Sequence, residues 1–164
     1  MKPALIVIDV QNEYFGSAGG AFPQWQADET AARIAARIRQ AKADGWTVIA
    51  IQHISPDDGS VFQRGTHGAA LHESVASLLD DCPLVEKAHA DSFLNTDLKA
   101  VLQERGIEEL VLCGIMTQNC ITHTAVSPQA GAYKVSVLAD CCTAPSEIVH
   151  LVALRALADR VVVA

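Results

Sequence analysis

The stretch "ELVLCGIMTQNCITHTAV", residues 109–126, decides how the chain is read. Its first half is an apolar run bounded by polar residues, as expected of a buried strand at 109–114. Its second half, from Thr117, starts a helix. A buried strand that turns at Gly114 and passes into a helix is one step of a parallel α/β fold.

The same unit repeats on both sides. "ALIVID" (4–9) is a strand rich in branched residues, followed by a loop containing glycines, a proline and aromatics. From Asp28 to about Ala43 apolar residues recur at helical spacing (Ala31, Ile34, Ala35, Ile38, Ala41), with Asp28 as N-cap and Gly45 as the stop. "WTVIAIQHI" (46–54) is a second strand, and the polar loop "SPDDGSVFQRGTHGA" (55–69) follows it. A loop of that length inside a compact domain is commonly functional.

A short helix is expected over roughly 72–80, a strand at "PLVEK" (83–87), and a helix over "NTDLKAVLQERG" (95–106) with Asn95 as N-cap. "GAYKVSVLAD" (131–140) gives a turn and a strand. A helix from Pro145 to about Asp159 and a last strand, "RVVVA", close the chain. The expected fold is one α/β domain over residues 1–164, three-layer α/β/α, with a mainly parallel central sheet of about six strands.

Composition narrows the function. Half of the 164 residues are hydrophobic, 19% are charged, and the net charge is −7. This suits a packed core and argues against disorder. No basic stripe points to nucleic acid. No apolar run is long enough to span a bilayer, and the N-terminus lacks the h-region of a signal peptide, so a cytoplasmic protein is expected. The five cysteines (Cys82, Cys113, Cys120, Cys141, Cys142) lack C-x₂-C spacing. A disulfide framework and a cysteine-based zinc site are therefore not expected.

Ligands of open parallel sheets bind beyond the carboxyl ends of the strands. The first five strands end at Asp9, at Gln52 and His53, at Lys87, at "GIMTQNC" and at Asp140. Each residue has an ordinary reading: aspartates cap turns, lysines at strand exits are solvated, and free cysteines pack as small hydrophobes, as expected for Cys113. Together, an acid, an amine and a thiol form a set. A helix start and a nearby ammonium both favour a thiolate at Cys120. Asp9 is placed to take the thiol proton and return it to a leaving amine.

Four ordered segments resemble the isochorismatase-like cysteine hydrolases: "ALIVIDVQNEYF", "PDDGSVFQRGTHGAALHE", "VEKAHADSFLNTDL" and "LVLCGIMTQNCITHTA". The resemblance covers nearly the whole chain. It implies an Asp–Lys–Cys triad of Asp9, Lys87 and Cys120. It also implies a cis peptide at Ile115–Met116 and an oxyanion hole formed by the N–H groups of Met116 and Cys120.

The cysteine points to the family's amidase branch, acting on a small amide or ureido substrate through a thioester. An alternative within the family is a metal-assisted nicotinamidase. Its metal-ligand positions fall here on His53, Ser55 and near Val61, so no metal and no cofactor are expected. His67 and His72 are read as polar loop residues. Another alternative is a non-catalytic protein binding a small ligand or partner; a thiol redox role ranks below it. Tyr14, Trp25, Phe62 and Phe93 are candidates for the pocket wall, and Asn119 for substrate contact or helix capping. Pro128 is expected to shorten the nucleophile helix, and the family suggests a homo-oligomer, a dimer or tetramer.

Overall fold

A computed structural model describes residues 1–56 and 58–164. Asp57, in the long second loop, lies outside the described residues.

Six strands form one parallel sheet: β1 (Pro3–Ile8), β2 (Thr47–His53), β3 (Leu84–Lys87), β4 (Glu109–Ile115), β5 (Lys134–Thr143) and β6 (Val162–Val163). Their spatial order is β3-β2-β1-β4-β5-β6. The chain therefore builds outward from β1 on one side, then returns to build outward on the other. β1 and β4 flank the point where the direction reverses, which is where open α/β sheets hold their ligands.

Side chains alternate across the sheet, so each strand feeds two cores. Ala4, Ile6 and Ile8 join Ile49, Ile51, Leu110 and Leu112 on one face. Leu98 and Leu102 of α3 (Leu98–Glu104), Ala125 of α4 (Thr122–Ala125) and Leu157 of α5 (Glu147–Leu157) cover it. Leu5 and Val7 join Val48, Ala50, Val111 and Cys113 on the other face. There Ile34 and Ile38 of α1 (Ala27–Ala43) and Val75 and Leu79 of α2 (Glu73–Leu79) pack. Each such aliphatic side chain contributes about 1.5–3 kcal/mol when fully buried. The three-layer arrangement matches the one expected.

Several boundaries differ from the sequence reading. Asp28 does not cap α1; Gln26 does, in a left-handed conformation, and Asp28 instead accepts a hydrogen bond from the Ser17 hydroxyl. Asn95 does not cap α3. It too is left-handed, with φ 56°, and Asp97 takes the cap position. Asn is among the residues that tolerate this region because its short amide bonds locally. The last helix begins after Ser146, whose hydroxyl accepts from Val149 N–H, so Pro145 precedes the cap. Pro128 is followed by a 3₁₀ turn over Pro128–Ala132, and α4 is short as expected.

β5 runs beyond Asp140 to Thr143. Its pairing with β4 jumps from Leu112↔Val137 to Gly114↔Cys142, so β5 bulges between these pairs. Asp140 therefore lies within β5 rather than at its end. Its carbonyl accepts from Arg33 of α1.

Candidate active site

The candidate site lies at the carboxyl ends of β1, β3 and β4. β1 ends at Ile8, and Asp9 turns away with φ 53°, in the left-handed region that Asp adopts more readily than most residues. Its N–H donates to the Ile51 carbonyl at 3.1 Å, which holds the turn against β2. The end of β4 is brought close by Gly114. With φ 128°, it pairs with Ile8 so tightly that a Cβ would lie 2.0 Å from the Ile8 carbonyl oxygen. The Ile115–Met116 peptide is cis. A π-helical turn over Thr117–Ile121 follows and carries Cys120.

Lys87, the last residue of β3, is fully buried at its side chain. Its Nζ lies 2.8 Å from Asp9 Oδ2, 3.3 Å from Cys120 Sγ and 2.9 Å from the His89 carbonyl oxygen. His53 Nδ1 is 3.2 Å away. Three chain-distant residues thus form one buried cluster.

Two of its groups depart from their ordinary titration. Burial alone would lower the Lys87 pKa, but the opposing charges of Asp9 and Cys120 prevail and raise it. Burial raises that of Cys120, the Asp9 charge adds to this, and Lys87 only partly offsets them, so the thiol is pushed up to about 12. This corrects the expectation of a resting thiolate. The sequence pattern pointed to the nearby lysine and carboxylate but not to the depth of burial, which is the largest cause of the shift. Burial and the neighbouring carboxylate thus disfavour the thiolate at Cys120.

Cys120 opens onto a cavity of about 420 Å³. Tyr14, Phe62 and Asn119 line it, together with His53, Met116, Phe22, Pro23, Gln24, Ala90 and Pro145. The Tyr14 and Phe62 rings sit 5.1 Å apart, and Phe62 meets His53 edge-on at 5.5 Å. Burial, then the Asp9 and Cys120 charges, raise the Tyr14 phenol and keep it neutral.

The sequence and the fold match a known group of proteins. A family model described as the isochorismatase domain matches residues 3–164. The chain belongs to the isochorismatase family. It is 36% identical to an uncharacterized isochorismatase family protein of Bacillus subtilis (strain 168), over 96% of this chain and 92% of that one. An isochorismatase-like hydrolase from Alkaliphilus metalliredigens superposes with TM-score 0.90 at 26% identity, covering 99% of this chain and 92% of that one. The nicotinamidase of Bacillus subtilis superposes with TM-score 0.88 at 25% identity, covering 100% and 99%. This isochorismatase-family chain is accordingly a hydrolase of α/β architecture. No helix among its described residues is long and apolar enough to cross a membrane.

Two wall candidates stand elsewhere. Trp25 packs its ring at 5.8 Å from that of His150, and Phe93 lies in the core 6.3 Å from the Tyr133 ring. An aromatic in a loop or short segment gives no sign of which side it faces.

The segment Phe22–Gln24 and Pro145 were missed because they come from two separate loops that meet only in the fold. Gln11 was missed as well. Wholly buried, it donates to the His53 and Ala69 carbonyls and accepts from His53 N–H, so it pins both loops to the cluster. A polar residue two positions after a strand end was the available signal.

The metal-ligand positions of the nicotinamidase reading also have other uses here. His53 Nδ1 faces the Lys87 ammonium, which disfavours a second cation at that nitrogen. Burial, then Lys87, lower the His53 pKa. Ser55 N–H donates to the Phe62 carbonyl. His67 bonds the Ala18 carbonyl, and His72 caps α2 and stacks on Phe15. No group of three or more metal-ligating side chains gathers among the described residues. The described residues at these positions do not fit a nicotinamidase-type metal.

Proposed function

We propose that this protein is a cysteine amidase, cleaving a C–N bond of a small amide or ureido compound through a thioester on Cys120. One observation carries the reading: the buried Lys87 ammonium lies within 3.3 Å of both Asp9 and Cys120, and Cys120 lines a cavity of substrate size. A buried acid, amine and thiol in contact are costly to desolvate, and such clusters are concentrated at functional sites.

Asp9 takes the thiol proton as Sγ attacks the carbonyl carbon. Lys87 stabilises the sulfur as it gains charge. The thiol's high pKa suits this concerted transfer, because the nucleophile forms only when an acceptor carbonyl is in place. The backbone N–H groups of Met116 and Cys120 meet the oxyanion; each such donor is worth about 3–4 kcal/mol. The C–N bond then breaks, and protonated Asp9 gives its proton to the amine, or to ammonia for a primary amide. Asp9 next takes a proton from water, which attacks the thioester and releases the acid and the thiol.

Tyr14, Phe62 and Asn119 hold the acyl portion. The resemblance to a nicotinamidase structure supports an amide substrate. The test is ammonia release from a panel of small primary amides and ureido compounds, by wild type and Cys120→Ala. Release by wild type that is lost in the variant supports the reading. Release that persists in the variant overturns it.

A further inference from the structure

Behind the nucleophile turn lies a second buried contact that the mechanism above does not use. His150 of α5 is 6% exposed, and its Nδ1 lies 2.8 Å from the hydroxyl of Thr117, which is wholly buried. Thr117 is the first residue of the π-helical turn that carries Cys120. The Thr117 hydroxyl can both donate and accept, so it pairs with Nδ1 in either tautomer of the neutral ring.

The ring also meets a residue next to the cavity lining. Trp25 packs on it at 5.8 Å, between centroids. Trp25 is tied down in turn: its N–H donates to the Ala144 carbonyl at 2.9 Å, and its carbonyl accepts from the Thr143 hydroxyl. It directly follows Phe22, Pro23 and Gln24, which line the cavity. His150 thus stands between the turn that bears the thiol and the segment that bounds the substrate space.

We propose that His150 is a positioning residue: its bond to Thr117 sets the Met116–Cys120 turn so that its N–H groups meet the oxyanion. The inference rests on the amidase reading. A bond from a rigid helix to the first residue of the turn fixes the turn's rotation. A misplacement near 1 Å at a reacting centre costs on the order of 100-fold in rate.

Two reagents separate this role from simple thiol reactivity. p-Nitrophenyl acetate acylates a thiol through a tetrahedral oxyanion: the C–S bond forms, the aryl ester C–O bond breaks, p-nitrophenolate leaves and the thiol proton passes to Asp9. Iodoacetamide alkylates the same sulfur by direct displacement of iodide, with no oxyanion. Both rates are measured at Cys120 in wild type, His150→Phe, His150→Asn, Thr117→Val and the double variant His150→Phe/Thr117→Val, with Tm recorded for each.

The expected result is a fall of about 10- to 100-fold in acylation, with alkylation unchanged. The double variant should be no worse than either single change, and His150→Asn, which keeps an acceptor, should recover part of the loss. Thr117→Val exchanges only a hydroxyl for a methyl, and it carries the test where His150→Phe fails to fold. Acylation and alkylation falling together, or neither falling while Tm drops, overturns the positioning role. Wild type that is alkylated but never acylated overturns the amidase reading itself, and this inference with it.

Discussion

Lys87 Nζ stands 2.8 Å from Asp9 Oδ2, although the whole of β2 lies between the strands that carry them. Only a buried lysine stem crossing the end of β2 achieves this. The contact makes Lys87 the hub of the cluster, since the same nitrogen reaches Cys120.

Removing that hub should unfold as well as inactivate. Lys87→Met keeps the stem and deletes the charge, leaving Asp9 without its cation. Breaking one partner of a buried pair costs about 3–5 kcal/mol, readable by urea denaturation. The folded Lys87 pKa is raised. Its contribution is therefore complete below its unfolded pKa of about 10.4 and is lost as pH rises through the folded value. The gap between wild type and variant should be constant near neutrality and narrow only above about pH 10.

Thiol reactivity should move in opposite directions on changing its two neighbours. Asp9 raises the Cys120 pKa and Lys87 lowers it. Asp9→Asn should therefore increase iodoacetamide alkylation at pH 8 several-fold while abolishing amide turnover. Lys87→Ala should slow alkylation at every pH up to 10. Site-resolved mass spectrometry reads both. Faster alkylation in the Lys87 variant would contradict the electrostatic account.

Gly114 should not tolerate a side chain. Its left-handed φ and the 2.0 Å approach of a Cβ to the Ile8 carbonyl leave no room for one. Gly114→Ala should cost about 3 kcal/mol or more, or separate β4 from β1 and so Cys120 from Asp9. Chemical denaturation and alkylation rates together distinguish the two effects.

The cavity wall offers a milder test. Tyr14→Phe keeps the ring packed at a tilt against Phe62 and removes only the hydroxyl. Stability should change by less than about 1 kcal/mol, while KM rises and kcat holds. Phe62→Ala opens the wall and should raise KM further, by about 10-fold or more.

Much of this was legible in the sequence. The strands announced themselves because both faces of a parallel sheet are buried and their runs are continuously apolar. Asp9, Lys87 and Cys120 stood out as polar or reactive residues at or just beyond strand ends. Tyr14, Phe62 and Asn119 were named from their neighbourhoods, and all three line the cavity. What escaped depends on contacts distant in sequence. Gln26 and Asp97 took the cap positions expected of Asp28 and Asn95 because chain entry into α1 and α3 is set by packing rather than by local propensity. The β5 bulge drew Asp140 inside a strand that pattern ends there. The direction of the Cys120 shift turned chiefly on its depth of burial, which a linear pattern does not show.

The most direct test is capture of the acyl-enzyme. Wild type mixed with a turned-over amide and quenched in acid should carry the acyl group's mass on the peptide containing Cys120. The adduct should be lost with hydroxylamine and absent in Asp9→Asn. Turnover of the amide with no adduct on Cys120, or turnover undiminished in Cys120→Ala, would contradict covalent catalysis by this thiol.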